Sequence, residues 1–261
     1  MEYEWIGSNE PYLDQILVKT LNDNLHIGCF GGSTTHGATK NEDALFVLQD
    51  EHRSWTFTAL LDSHKSSHSA ELITSLIRDN KEKLVSLCIS DDVFSKLDSY
   101  FISLFSDEMF KERCRGIEGE TLCILCFQRG PFLWWFSIGD CMAFLFHSEL
   151  AYFKQYGLNQ RQFYEWIGQS NTFDLPVPCY TIGRRQLRQG RNRIVLTTDG
   201  IFDTEDRYFQ DYSNLYNILM NDNPLEQNIE QILTYLSDVR DSTSLICWEY
   251  NNDEQGLNPS D

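Results

Sequence analysis

Four aspartates fall at the ends of apolar segments: Asp43 after Asn41 and Glu42, Asp62 closing WTFTALLD, Asp199 closing IVLTTD, and Asp241 just ahead of TSLICWEY. A single aspartate at a strand end is an ordinary turn or cap residue. Four together weaken that explanation. Asp62 and Asp199 follow TALL and IVLTT, and a carboxylate at the mouth of a buried strand is costly to desolvate unless something neutralises it. Several such groups converging would repel one another without a cation. The ligand atoms on offer are carboxylate and carbonyl oxygens, with no His or Cys at ligand spacing, so the expected cation is hard: Mg²⁺ or Mn²⁺. Two such ions bridging a water would make it a nucleophile at neutral pH.

The segments that must carry these aspartates read as short strands. HIGCFGG, DALFVLQD and WTFTALLD are β-branched or aromatic runs bounded by Gly, Asn, Asp and His, and the last two are expected to pair antiparallel. Helical spacing of Ala70, Ile73, Leu76 and Ile77 predicts a helix from about Ser67 to Asn80, and a second is expected from Asp91 to Arg113. ETLCILCFQ and FLWWFSIG, joined at Arg129, Gly130 and Pro131, together with CMAFLFHSEL predict a three-stranded meander. RNRIVLTTDG is a further strand, Leu225 to Ser237 an amphipathic helix, and TSLICWEY a last strand. Strands outnumber helices and several are hairpin-linked, which argues for an α+β fold with antiparallel sheets.

A chain of 261 residues with 41% hydrophobic and 23% charged residues is globular, and one domain is expected over residues 1–250, with 251–261 a polar C-terminal tail. Lys plus Arg total 21 against 39 Asp plus Glu, a formal charge of −18 that repels a phosphate backbone or an anionic lipid surface. Neither nucleic acid nor a membrane is therefore expected as partner. The N-terminus carries acidic residues where a secretory signal would be basic and then apolar, so a cytoplasmic protein is expected. Most of the 8 cysteines sit in apolar runs and are expected to be reduced core thiols. Cys123 and Cys126 have CxxC spacing but no second CxxC and no nearby His pair, which argues against zinc.

NEDA (Asn41 to Ala44), LLDSH (Leu60 to His64), GETL (Gly119 to Leu122), IGDC (Ile138 to Cys141), LTTDGIFD (Leu196 to Asp203) and DSTSLI (Asp241 to Ile246) occur in that order. Together they resemble the motifs of the metal-dependent serine/threonine protein phosphatases of type 2C, in a divergent, bacterial-type single-domain form. The similarity spans about residues 27 to 249. It implies a four-layer αββα sandwich with Mn²⁺ or Mg²⁺ held between two antiparallel sheets at their loop edge: two ions, and in some members a third. It implies that Asp62 bridges two metals, that the Ser63 carbonyl and the side chain of Glu42 or Asp43 serve one, that Asp199 and Asp241 serve the other, and that Asp140 stands at the third position. It implies a metal-bridged hydroxide attacking a phosphoserine or phosphothreonine of a phosphoprotein in line, with His64 protonating the leaving alkoxide.

The family's DGHGG motif is DSHKS here, so Ser63, Lys65 and Ser66 replace glycines, a strain if the loop keeps its shape. The family's phosphate-binding arginine aligns near Ala38, leaving Lys40, His36 or a distant arginine to bind substrate phosphate; Arg184 and Arg185 are the nearest basic pair along the chain. QYGLNQRQFYEWIGQSNTFDLPVPCY falls where the family carries its flap. Two alternatives stand beside an active phosphatase: a catalytically silent phosphatase-like binding module, and a calcium-stabilised α+β binding protein whose acidic loops are structural.

Overall fold

The computed structural model describes residues 1–258. The chain runs β1 (Glu2–Ile6), β2 (Ile16–Asn22), β3 (Leu25–Phe30), β4 (Ala44–Gln49) and β5 (Trp55–His64), then α1 (His68–Asp79), α2 (Lys81–Ile89), α3 (Val93–Phe105) and α4 (Glu108–Arg115). It continues through β6 (Glu120–Arg129), β7 (Phe132–Ile138), β8 (Met142–Phe146), α5 (Ser148–Tyr152), β9 (Ile167–Gly168), β10 (Thr181–Gln186), β11 (Gly190–Thr197), α6 (Tyr212–Leu219), α7 (Leu225–Tyr235) and β12 (Thr243–Asn252). One sheet has the order β1-β4-β5-β6-β7-β10, with β9 pairing β6, and the other the order β2-β3-β12-β11-β8. All strand pairs are antiparallel.

Apolar residues on both faces of the central strands build the layers. In β4, Ala44, Phe46 and Leu48 pack under α1 to α4, while Leu45 and Val47 face the second sheet. In β11, Ile194 and Leu196 point between the sheets and Val195 points at α6 and α7. A strand buried on both faces reads as a continuous apolar run, because neither register position meets water. The result is helix, sheet, sheet, helix, the expected α+β sandwich. Among the described residues, no helix is long and apolar enough to cross a membrane.

Two local expectations need correction. The helix expected over Asp91 to Arg113 is two, α3 and α4, because Asp107 leaves helical geometry and its side chain accepts from the Phe110 amide as an N-cap. The expected meander ends after two strands: β6 and β7 form the hairpin, but β8 joins the other sheet beside β11. Gly139, at φ +89°, makes that crossing possible, since a Cβ there would lie 2.0 Å from Leu122 Cδ2. β1, β2, α2, α5, β9, β10 and α6 are additions to the elements read from sequence. Cys123 and Cys126 fall on opposite faces of β6, one under the helices and one between the sheets, so they cannot share an ion.

Candidate active site

The antiparallel registers bring the aspartates to one rim. Ala44 opposes Leu61, Cys123 opposes Ile138, and Thr197 opposes both Leu245 and Met142. The start of β4, the end of β5 and the end of β7 therefore lie at one end of the first sheet. The starts of β8 and β12 and the end of β11 share one end of the second. Asp62 lies two residues before the end of β5 in one sheet and Asp199 follows a strand of the other, while Asp140 sits in the crossing between them. Gly200 allows the close approach of the last two loops: a Cβ on it would lie 2.1 Å from the Ser242 carbonyl.

Burial and mutual repulsion set the electrostatics. Asp62, 6% exposed, is pushed well above the usual carboxylate range by burial, and then by Asp43, Asp199, Asp241 and Asp140. Burial also raises Asp199 to about 7, with Asp140 and Asp241 adding to it and Arg161 opposing. Asp241 is raised by burial and then by Asp203, with His64 opposing. Asp43 is raised to about 7 by burial, although three hydroxyls stabilise its charge: Ser244 Oγ at 2.7 Å, Ser242 Oγ at 2.9 Å and Thr198 Oγ1 at 3.3 Å. Asp43 is thus a brace from the start of β4 to the loops of the opposite sheet. Glu42, not Asp43, faces the cleft, where its Oε2 pairs with Lys40 at 2.7 Å and its Oε1 is buried without a partner.

Lys40, Glu42, Ser63, His64 and Asp241 line one cavity of about 420 Å³, together with Asp203 and Arg240. His36 lines a neighbouring cavity with Asp203 and Asp206 and does not reach the Lys40 cleft. Arg184 lies away from the rim on β10, ion-paired to Asp98 at 2.7 Å. The DSHKS loop meets only part of the strain its lost glycines imply: Lys65 sits at φ +76°, while Ser63 extends β5 opposite Thr121. Gly119 presses on this loop, where a Cβ would lie 2.5 Å from the His64 carbonyl.

The sequence pattern gives no role to Arg161, Asp203 or Arg240. Arg161 Nη2 donates to Asp199 Oδ2 at 2.7 Å and Asp140 Oδ2 at 3.2 Å, and its guanidinium lies 5.2 Å from the ring centres of both Phe163 and Phe202. Asn159 anchors the segment carrying it. Buried, Asn159 accepts from the Ala143 amide at 2.8 Å and donates to Ser137 Oγ at 2.9 Å and the Cys141 carbonyl at 2.8 Å, which fixes the crossing that bears Asp140.

No family model and no curated protein matches the chain. Solved structures do. A bacterial serine phosphatase superposes with a TM-score of 0.62 at 12% identity over 92% of this chain and 98% of that one. A serine/threonine phosphatase of Staphylococcus aureus gives 0.61 at 11%, over 91% and 94%. The chain has the fold of the bacterial serine/threonine phosphatases. RsbX, solved in complex with magnesium, shares this phosphatase fold with a TM-score of 0.58 at 12% identity, over 90% of this chain and 100% of that one.

The residues at the rim of this phosphatase fold suit a hard divalent cation in charge and donor type. Asp140 Oδ1, Asp199 Oδ1 and Glu42 Oε1 are buried oxygens with no hydrogen-bond partner. Buried carboxylate oxygens without a partner are what such an ion would satisfy. As they stand, no group of three or more His, Cys, Asp or Glu among the described residues is arranged to hold a metal ion. Arg161 provides the positive charge between Asp140 and Asp199 in this arrangement.

Proposed function

We propose that the protein is a divalent-metal-dependent phosphomonoesterase acting on phosphoserine or phosphothreonine in proteins. The observation that carries this reading is the convergence of carboxylates from both sheets, with unpartnered oxygens, beside an open cleft. Asp62, Asp199 and Asp241, with Glu42, the Ser63 carbonyl and Asp140, would hold Mn²⁺ or Mg²⁺. Such ions supply a nucleophilic water at neutral pH and offset the charge of the phosphoryl oxygens. His64, exposed at the cleft two residues past Asp62, would donate its imidazole proton to the departing serine or threonine oxygen. Asp43, with its hydroxyl donors, keeps the two sheets' loops in register.

One observation favours a second reading, a phosphatase-like binding module without turnover: Arg161 already pairs with two of the carboxylates. Chelator-stripped protein assayed on p-nitrophenyl phosphate and on a phosphothreonine peptide, as Mn²⁺ or Mg²⁺ is returned, separates the two. Metal-dependent turnover that Asp199→Asn abolishes supports the phosphatase. Folded protein that binds metal without turnover supports the silent module. Turnover that persists in Asp199→Asn overturns the proposed site.

A further inference from the structure

A phosphate monoester entering this cleft is a dianion approaching at least five carboxylates, so a cation must meet its outer oxygens. The cleft offers three basic side chains, Lys40, Lys65 and Arg240. Two are already engaged. Lys40 Nζ pairs with Glu42 at 2.7 Å and donates to the Lys65 carbonyl at 2.7 Å, while Lys65 Nζ pairs with Glu118 at 3.1 Å. The Arg240 guanidinium has no carboxylate and no side-chain hydrogen-bond partner among the described residues, although it stands next in sequence to Asp241.

The backbone fixes where that guanidinium starts. The Val239 carbonyl accepts from the Ser33 amide at 2.8 Å, and the Arg240 carbonyl lies so near Gly32 that a Cβ there would be 2.1 Å from it. The Arg240 stem then passes Gly37, where a Cβ would sit 3.8 Å from both Cδ and Nε. Gly37, at φ +95°, belongs to the Gly37–Lys40 stretch that forms one wall of the cleft. A guanidinium is a planar fork of donors that matches two phosphate oxygens at once, and it keeps its charge at any working pH.

We infer that Arg240, resting on Gly37 at the cleft wall, is the group that binds the phosphoryl oxygens of the substrate. This rests on the phosphatase reading of the same cleft. The test compares wild type with Arg240→Gln, Arg240→Lys and, as a surface-charge control, Lys96→Gln, whose lysine pairs with Asp92 far along the chain. Manganese-loaded enzymes are assayed for kcat and KM on p-nitrophenyl phosphate and for the inhibition constant of inorganic phosphate.

Arg240→Gln is expected to raise both KM and the phosphate inhibition constant about tenfold, the loss of one charge-assisted contact. Arg240→Lys should recover part of that, and the control should match wild type. KM and inhibition constants within twofold of wild type in an active Arg240→Gln enzyme would overturn the inference and leave the phosphatase reading intact. If wild type shows no turnover, calorimetric binding of inorganic phosphate to the manganese-loaded protein decides. Binding lost in Arg240→Gln upholds the role of Arg240 while the hydrolytic reading fails; equal binding, or none to wild type, overturns it.

Discussion

Arg161 neutralises part of a carboxylate cluster that would otherwise repel itself, and so opposes any ion arriving at Asp140 and Asp199. Replacing it with a neutral side chain of similar length should separate the two effects. Arg161→Met is expected to tighten Mn²⁺ binding severalfold by calorimetry, and to lower the stability of the chelator-treated protein by about 1–2 kcal/mol, the side chain being partly solvated. Unchanged Mn²⁺ affinity would show that the arginine does not compete. Lys65 offers a second test. At φ +76° it is strained, and its ion pair with Glu118 is well exposed, so Lys65→Gly should stabilise the fold by about 0.5–1 kcal/mol in urea unfolding. The aspartates were legible in the sequence because each closes or opens an apolar run. Arg161 was not, since it lies in an irregular aromatic stretch and only the tertiary path brings it to Asp199.

The crossing from β7 to β8 depends on one buried amide. Asn159 satisfies groups on Ser137, Cys141 and Ala143 at once. Asn159→Leu keeps the branched shape but strands buried donors and acceptors, and is expected to cost about 2–4 kcal/mol in denaturant unfolding. Asp140 and Arg161 should be displaced together, so metal affinity should change as well; a loss of stability below 0.5 kcal/mol at unchanged affinity would remove the clamp from the account. At this scale the sequence was most readable where strands are buried on both faces: β4 to β7, β11 and β12 all announce themselves as apolar runs. β1 and β2 carry Glu, Lys and Asn on partly solvated faces and did not. The meander failed because a short connection between two apolar strands does not say whether the second stays in the same sheet. That choice is made by Gly139 and by the clamp on the far side.

For the molecule as a whole, the carboxylates couple stability to both pH and metal. Asp43 and Asp199 are raised from 3.8 to about 7, so the folded metal-free protein holds protons that the unfolded chain has released. Binding more protons when folded means that these groups make stability fall as pH rises from about 4 to 7. Thermal melting in chelator should therefore give a lower Tm at pH 7.5 than at pH 5.5. Saturating Mn²⁺ should remove that slope, because a cation favours the ionised forms. A Tm that rises with pH in chelator would mean that other groups dominate. The sandwich itself was legible, because strands rich in apolar residues on both faces demand cover on both. Six ordered motifs supplied its connectivity, yet the pairing of β8 with the second sheet had to come from the structure.

The Asn159 clamp and the short β9 have a practical corollary. Together they fix both ends of residues 160–166, a stretch without regular structure that carries Arg161 and the exposed Phe163 and Tyr164. Such a stretch is a replaceable cassette. Doubling its length would cost only about 0.6 kcal/mol in closure entropy, so natural or laboratory variation that keeps Arg161 can rework this surface while the scaffold that gathers the carboxylates keeps its shape.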